Sequence, residues 1–399
     1  MAGAAIAFAS PVGSATTPAS SQLHGVSCVN ATTCFAVGES LGTVIGQSRT
    51  LVERWNGKTW SIVPSPNPAG ARYATLFGIS CSSPTNCFAV GIQITPGATA
   101  NTALIERWNG KTWSIVASPS LSSSATDSTY LYGVSCPSAT FCVAAGSLYV
   151  ADKNGSVTAF KTVVEQWNGS KWSVVSTAPP PGSTGARLYA ASCTSPNNCI
   201  AVGDQNLKVR PPGSFADGSA TLTERWNGKA WSAVASPSPT IGSGATLLSV
   251  SCTSTTNCLA AGQYAEGGVG ATGLLTERWN GKSWSLLPPH PPNRAYSWLS
   301  SVSCAGTTSC MATGYFATSR FNAKGSATLV ERWNGTAFSL VSSPKAAFYN
   351  TLDGVSCVSA TVCIAVGHSA AGGASANTTL AEQWNGTKWS TVPSPNPAA

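Results

Sequence analysis

Apolar and polar residues alternate in short runs along the whole chain, and no segment settles into a helical period. Leu23 to Cys28 reads L-H-G-V-S-C, and C-F-A-V-G opens at Cys34. After a looser stretch come T-L-V-E-R-W at 50–55 and T-W-S-I-V at 59–63. Runs of five or six residues rich in Val, Leu, Phe and Trp, punctuated by Gly, Asn and Pro, predict four β-strands over these segments. Pro64 and Pro66 end the fourth, because proline cannot donate to a ladder. Asn56-Gly57 between the third and fourth strands predicts a two-residue type I′ hairpin, in which both central residues need positive φ.

The same four-part unit occurs seven times. Its first cysteine falls at 28, 81, 136, 193, 252, 304 and 357. A period near fifty residues is that of a repeat architecture whose units cannot bury their apolar faces alone. Sheets stacked face to face around an axis bury both faces. The predicted fold is therefore all-β, a seven-bladed β-propeller of four-stranded antiparallel blades starting near 23, 76, 131, 188, 247, 299 and 352. Residues 23–399 form one domain. The last unit ends in its own fourth strand, W-S-T-V-P at 389–393, so closure is expected to rest on packing of blade 7 against blade 1. Residues 1–22, beginning M-A-G-A-A-I-A-F-A-S-P, read as a leader or signal-like segment.

An aromatic closing the third strand, a tight turn and a Trp opening the fourth (Trp55, Asn56-Gly57, Trp60) resemble kelch-like propellers, with the kelch double glycine reduced to one, as at Gly38 and Gly91. The match covers nearly the whole chain through a loose motif. G-K-T-W at 57–60 is similar to the end of a sialidase-type Asp-box, but Trp55 stands where that box has Asp, so that enzyme family is not implied. Together with the paired cysteines, the unit looks most like secreted bacterial repeat proteins of unassigned role.

Fourteen cysteines fall into pairs of one spacing: Cys28/Cys34, Cys81/Cys87, Cys136/Cys142, Cys193/Cys199, Cys252/Cys258, Cys304/Cys310 and Cys357/Cys363. Zinc needs four ligands, usually from close pairs or with His nearby, whereas each pair here stands alone and the chain has three His. Seven local disulfides, one per blade and each flanking a five-residue turn, are predicted, with a secreted or cell-surface location. No metal or cofactor is expected. No stretch is long and apolar enough for a transmembrane segment. Charged residues are 9% of the chain and the 22 Lys and Arg are scattered, which argues against nucleic acid.

One glutamate and one tryptophan recur in every unit: Glu53/Trp55, Glu106/Trp108, Glu165/Trp167, Glu224/Trp226, Glu277/Trp279, Glu331/Trp333 and Glu382/Trp384. Residues two apart share a strand face. The main expectation is structural, with Trp wedged between blades and Glu accepting hydrogen bonds across them. The alternative is a repeated sugar site.

The two short turns keep their lengths, while the connections from second to third strand and from blade to blade vary. In an up-and-down blade these variable loops share one end, where binding residues concentrate. Unrepeated aromatic and basic residues fall there: Tyr149, Lys208, Arg210, Tyr264, Arg294, Tyr296, Trp298, Arg320 and Phe321. Trp298 is the only Trp outside the repeated positions and the first candidate. Against catalysis, His24, His290 and His368 read as isolated, no thiol is spare, and the unrepeated acids show no convergent pair. The expected function is a non-enzymatic extracellular scaffold recognising a polysaccharide or protein. The alternative is a structural subunit of a self-assembling surface or filament structure, and a carbohydrate-active enzyme is the less favoured reading.

Overall fold

The computed structural model describes residues 20–42, 47–119, 121, 124–177, 180, 182–207, 219–239, 244–266, 271–288, 296–317, 325–372 and 376–397. Among them the chain forms 28 strands and no helix, hence no helix that could cross a membrane. In the first unit β1 (Ser20–Asn30), β2 (Thr33–Leu41), β3 (Ser48–Trp55) and β4 (Trp60–Ile62) pair in that order, all antiparallel. Six further four-stranded sheets follow, over 73–115, 128–174, 183–234, 244–286, 296–340 and 349–391. A single parallel bridge, Thr272 to Tyr296, links the fifth and sixth. The leader assigned to 1–22 lies outside the described residues, except that Ser20–Gln22 pair with Leu41, Ser40 and Glu39.

Both short turns differ from expectation. Trp55 pairs directly with Trp60, so the third-to-fourth connection has four residues, not the two of a type I′ hairpin. The cause is the asparagine side chain: Asn56 Oδ1 accepts from the N–H groups of Lys58 and Thr59, both at 2.9 Å, and this fold-back needs the extra length. Gly57 still carries a positive φ, +95°. The first-to-second connection is tighter than the five residues expected, since Asn30 pairs with Thr33 and leaves only two residues between them.

The cysteines of a pair therefore face each other within the ladder instead of at the mouth of a loop. All seven disulfides are formed in this way, Cys28 to Cys34, Cys81 to Cys87, Cys136 to Cys142, Cys193 to Cys199, Cys252 to Cys258, Cys304 to Cys310 and Cys357 to Cys363. The second member of each pair, Cys34, Cys87, Cys142, Cys199, Cys258, Cys310 or Cys363, is buried in the hydrophobic core. It lies at the start of a second strand that pairs on both sides, so these sulfurs pack as core atoms.

Each first strand carries a β-bulge. Leu23 pairs with Gly38 and Gly25 with Val37, leaving His24 unopposed. The same slip recurs at Phe77, Tyr132, Tyr189, Leu248, Ser300 and Asp353. The repeated glycine opposite the bulge is obligatory, because a Cβ on Gly38 would collide with the Gln22 carbonyl oxygen.

The core lies between sheets. Phe35, Val37 and Val52 of the first pack with Leu76, Leu104, Trp108 and Trp113 of the second, and the pattern repeats around the chain. Leu23, Leu51, Trp55 and Trp60 pack with Ile364, Val366 and Ala381 of the seventh. A hydrogen bond from Cys N–H to the preceding unit's Ser Oγ, 2.9–3.0 Å, joins each sheet to the one before: Cys81 to Ser27, Cys136 to Ser80, and so on to Cys357 and Ser303. The seventh bond of the set runs from Cys28 to Ser356, first unit to last. This is the use of the repeated serine before each first cysteine.

The repeated Glu and Trp occupy these interfaces. Glu53, Glu106, Glu165, Glu224, Glu277, Glu331 and Glu382 are all fully buried. Five accept a hydroxyl from the fourth-strand side of the neighbouring unit: Ser65 to Glu106, Ser118 to Glu165, Ser236 to Glu277, Ser343 to Glu382 and Ser394 to Glu53, at 2.6–2.8 Å. The equivalent hydroxyl before Glu224 belongs to Thr177, which bonds Thr162 instead. The third-strand tryptophans Trp55, Trp108, Trp167, Trp226, Trp279, Trp333 and Trp384 are likewise buried, none more than 7% exposed. Each Nε1–H donates to a carbonyl in its own first turn, as Trp55 does to Ala31 at 3.2 Å.

The alternative of a repeated sugar site at these pairs meets buried side chains. A stacking platform must present a ring face to solvent, whereas the faces of Trp226, Trp279, Trp333, Trp384 and their three counterparts are covered by the neighbouring sheet and the fourth-strand aromatic. The arginine after the glutamate points the other way: Arg107 lies over Phe88 of its own unit at 5.5 Å and over Trp167 of the next at 5.2 Å.

Candidate functional site

The ladder registers put cysteines and Asn-Gly turns at one end of every sheet and the variable loops at the other. At the loop-bearing end, the described strand residues also differ from unit to unit. The position two before each bulge faces, across the first ladder, the position after the obligatory glycine, and this pair differs in every unit. It is Gln22 and Glu39 in the first, an amide donating to a carboxylate at 2.6 Å. In the fourth it is Arg187 and Asp204, a two-pronged ion pair at 2.9 and 2.6 Å. In the sixth it is Trp298 and Tyr315, rings edge-on with centroids 4.1 Å apart. In the seventh it is Thr351 and His368.

Two of the cavities among the described residues are lined by the bulge residues or by these pairs. The first, about 430 Å³, lies among the first strands, and all seven bulge residues line it. The bulge explains this placement, since an extra residue re-aims its side chain out of the alternating pattern. On one side of this central cavity His24, Phe77, Tyr132 and Tyr189 form a continuous arc, with successive centroids 5.6, 5.6 and 5.2 Å apart. On the other side stand Leu248, Ser300 and Asp353. His24 Nε2 is buried without a protein partner, and burial lowers the imidazole pKa, so the ring is neutral at neutral pH.

The second cavity, about 390 Å³, is a cleft between the sixth and seventh units lined by Trp298, Tyr315, Tyr349, Asp353 and His368 among others. Asp353 belongs to both cavities. Its carboxylate accepts from Thr351 Oγ1 at 3.0 Å and lies 3.1 Å from His368 Nδ1. A carboxylate at Nδ1 holds the imidazole ring in one orientation. Burial pushes the Tyr315 phenol up to about 12, which keeps it a hydrogen-bond donor. Aromatic walls, one carboxylate, one oriented imidazole and a phenol can bind a sugar ring and can move a proton.

Of the sequence-predicted loop-end residues, Trp298 stands in this cleft. Tyr296 is half-buried at the start of the same strand, bridged to Thr272. Tyr149 lies in another sector, its hydroxyl 3.0 Å from that of Tyr132 and its ring against Tyr130 and Phe160. Tyr264 packs beside the core of the fifth unit. Lys208, Arg210, Arg294, Arg320 and Phe321 fall outside the described residues. Asp353, Tyr315, Tyr349 and His368 were not singled out as binding residues from sequence. Aligning the seven copies column by column carries a signal for Tyr315 and His368, because the column directly after the repeated glycine reads Glu39, Ile92, Ser147, Asp204, Gln263, Tyr315, His368.

No protein-family model matches this chain, and no curated protein matches it. Solved structures do. An ulvan lyase of a polysaccharide lyase family is similar over 95% of this chain and 97% of its own, with TM-score 0.55 and 8% identity. An ulvan lyase bound to -[GlcA(1-4)Rha3S]- is similar over 91% and 92%, with TM-score 0.53 and 9% identity. A protein of unknown function from Dyadobacter fermentans covers 92% and 95%, with TM-score 0.50 and 10% identity. The shared property is a β-propeller fold.

The expectation of a non-enzymatic protein is corrected by these findings. A polysaccharide lyase has this fold along nearly its whole length, so the fold is compatible with catalysis. The residues also differ from the premise: His368 is not isolated but held by Asp353, a contact made through strand pairing rather than through sequence proximity.

Proposed function

We propose that the chain is an extracellular, kelch-like, seven-bladed propeller that engages a polysaccharide in the cleft of Trp298, Tyr315, Tyr349, Asp353 and His368. The observation that carries this reading is that the Trp298–Tyr315 edge contact and the Asp353–His368 pair line one cleft. An aromatic wall beside a carboxylate and imidazole suits a sugar, whose ring has apolar faces and a hydroxyl rim. Seven disulfides support an oxidising compartment. The carbohydrate named for the lyases of like fold points the same way. The test is affinity electrophoresis in soluble xylan, arabinan, homogalacturonan and ulvan. Retardation of the wild type by one of them, and a loss of about tenfold or more in Trp298→Ala, is expected. Equal retardation of both proteins, or none of the wild type, overturns the reading.

Modification of the bound polysaccharide is a second reading, favoured by the oriented imidazole. Under it, product release falls by about two orders of magnitude or more in His368→Ala, while polymer binding persists. An assembly role is favoured by apolar side chains left exposed on the outer strands, Ile62, Ile115, Val174, Leu286 and Leu340. Light scattering across a concentration series tests it, and a strict monomer at every concentration speaks against it.

A further inference from the structure

We infer that the central cavity is a second subsite of the same ligand and takes the end of a carbohydrate chain, not an internal stretch. The inference rests on the polysaccharide reading above.

Three observations carry it. First, the wall of the cavity is made by the first strands of all seven units, and each is bonded to its neighbour by the Ser–Cys link, with Cys28 to Ser356 joining first to last. A ligand therefore reaches the cavity along its axis and not between strands. An internal segment of a polymer would have to be threaded through the ring or folded back on itself to lie along that axis, whereas a chain end needs only to point inward.

Second, the wall is two-sided in the way a terminal sugar requires. His24, Phe77, Tyr132 and Tyr189 offer a curved aromatic face, and Ser300 and Asp353 offer polar groups opposite. The volume of about 430 Å³ falls within the usual range for small-molecule sites. His24 adds a neutral imidazole whose buried Nε2 has no partner in the protein.

Third, Asp353 is shared by the central cavity and the cleft. A sugar against Trp298 and the next sugar against the aromatic arc would meet at this one carboxylate, giving a continuous path that turns from the cleft down the axis.

The experiment uses size-fractionated chains of whichever of xylan, arabinan, homogalacturonan or ulvan the protein binds, in short and long fractions, with the stoichiometry read by analytical ultracentrifugation. One protein per chain is expected at both lengths. A number of bound proteins that grows with chain length overturns the end-binding mode while leaving the polysaccharide reading intact. Absence of binding to all four removes that reading and this one together. Tyr132→Ala is expected to weaken binding about tenfold or more, and Tyr132→Phe to stay within about threefold. Tyr189→Ala serves if Tyr132→Ala does not fold. Unchanged affinity in the folded alanine variant sinks the proposal.

Discussion

Ser394 Oγ donates to Glu53 Oε2 at 2.7 Å, although 341 residues separate them. The same contact joins Ser236 to Glu277 only 41 residues apart. The interface between last and first units is thus built from the same chemistry as an interface between consecutive ones. Ser394→Ala and Ser236→Ala should each lower stability by about 1–3 kcal/mol, because each removes a hydroxyl donor from a fully buried carboxyl. Parallel denaturant titrations check this. A Ser394→Ala protein as stable as the wild type would refute the equivalence.

Acidity should stabilise the molecule. Burial pushes Glu53, Glu224 and Glu277 up to about 8 and Glu106, Glu165 and Glu382 up to about 7, with serine hydrogen bonds acting the other way where present. The folded state then holds more protons than the unfolded chain between the ordinary carboxyl pKa of 4.5 and these raised values. Stability is expected to be full below that ordinary pKa and to decline as pH rises through about 7 to 8. Melting temperature measured against pH tests the sign, and a rise across this window contradicts it. Glu224→Gln should flatten the decline with little loss at low pH, since Glu224 has no hydroxyl partner to lose.

Each disulfide closes a short loop, so its worth is modest. Replacing Cys81 and Cys87 together by Ala should cost about 2 kcal/mol on the loop-entropy model, and the sheet should persist. Full reduction removes seven such contributions and is expected to lower the melting temperature far more than any single pair. Calorimetry with and without reductant separates the cases.

Arg107 provides a test of the contacts on the opposite strand face from the glutamates. Its guanidinium lies between Phe88 and Trp167 of adjacent units, and Arg107→Ala should lose about 1 kcal/mol in a denaturant titration. Lys at this position is expected to recover only part of that, because an ammonium lacks the planar stacking surface.

The strands, their number, the seven-fold repetition and the cysteine pairs were legible because each rests on local spacing: period-two alternation, Gly and Pro punctuation, and identical Cys separations. The turns were less so, since an asparagine side chain folding onto two amides lengthens a hairpin without altering its letters. The cleft was only partly legible. Trp298 stood out as an unrepeated Trp, but Asp353 and His368 are 15 residues apart on paired strands, and their contact depends on the bulge that leaves Asp353 unopposed. Registers and bulges are properties of the ladder, and no single copy of the unit displays them. The lone serine before each cysteine was illegible for the same reason, because its partner is always in the next unit.

The Cys28–Ser356 bond has a consequence for how this protein can be rearranged. Since that junction is made like the other six, the point at which the polypeptide is cut is interchangeable. A gene rewritten to begin at the second unit and finish with the first should yield the same molecule, its old ends joined by a short spacer. A sector carrying Trp298 and His368 could likewise be transplanted to a new place in the order without redrawing the scaffold.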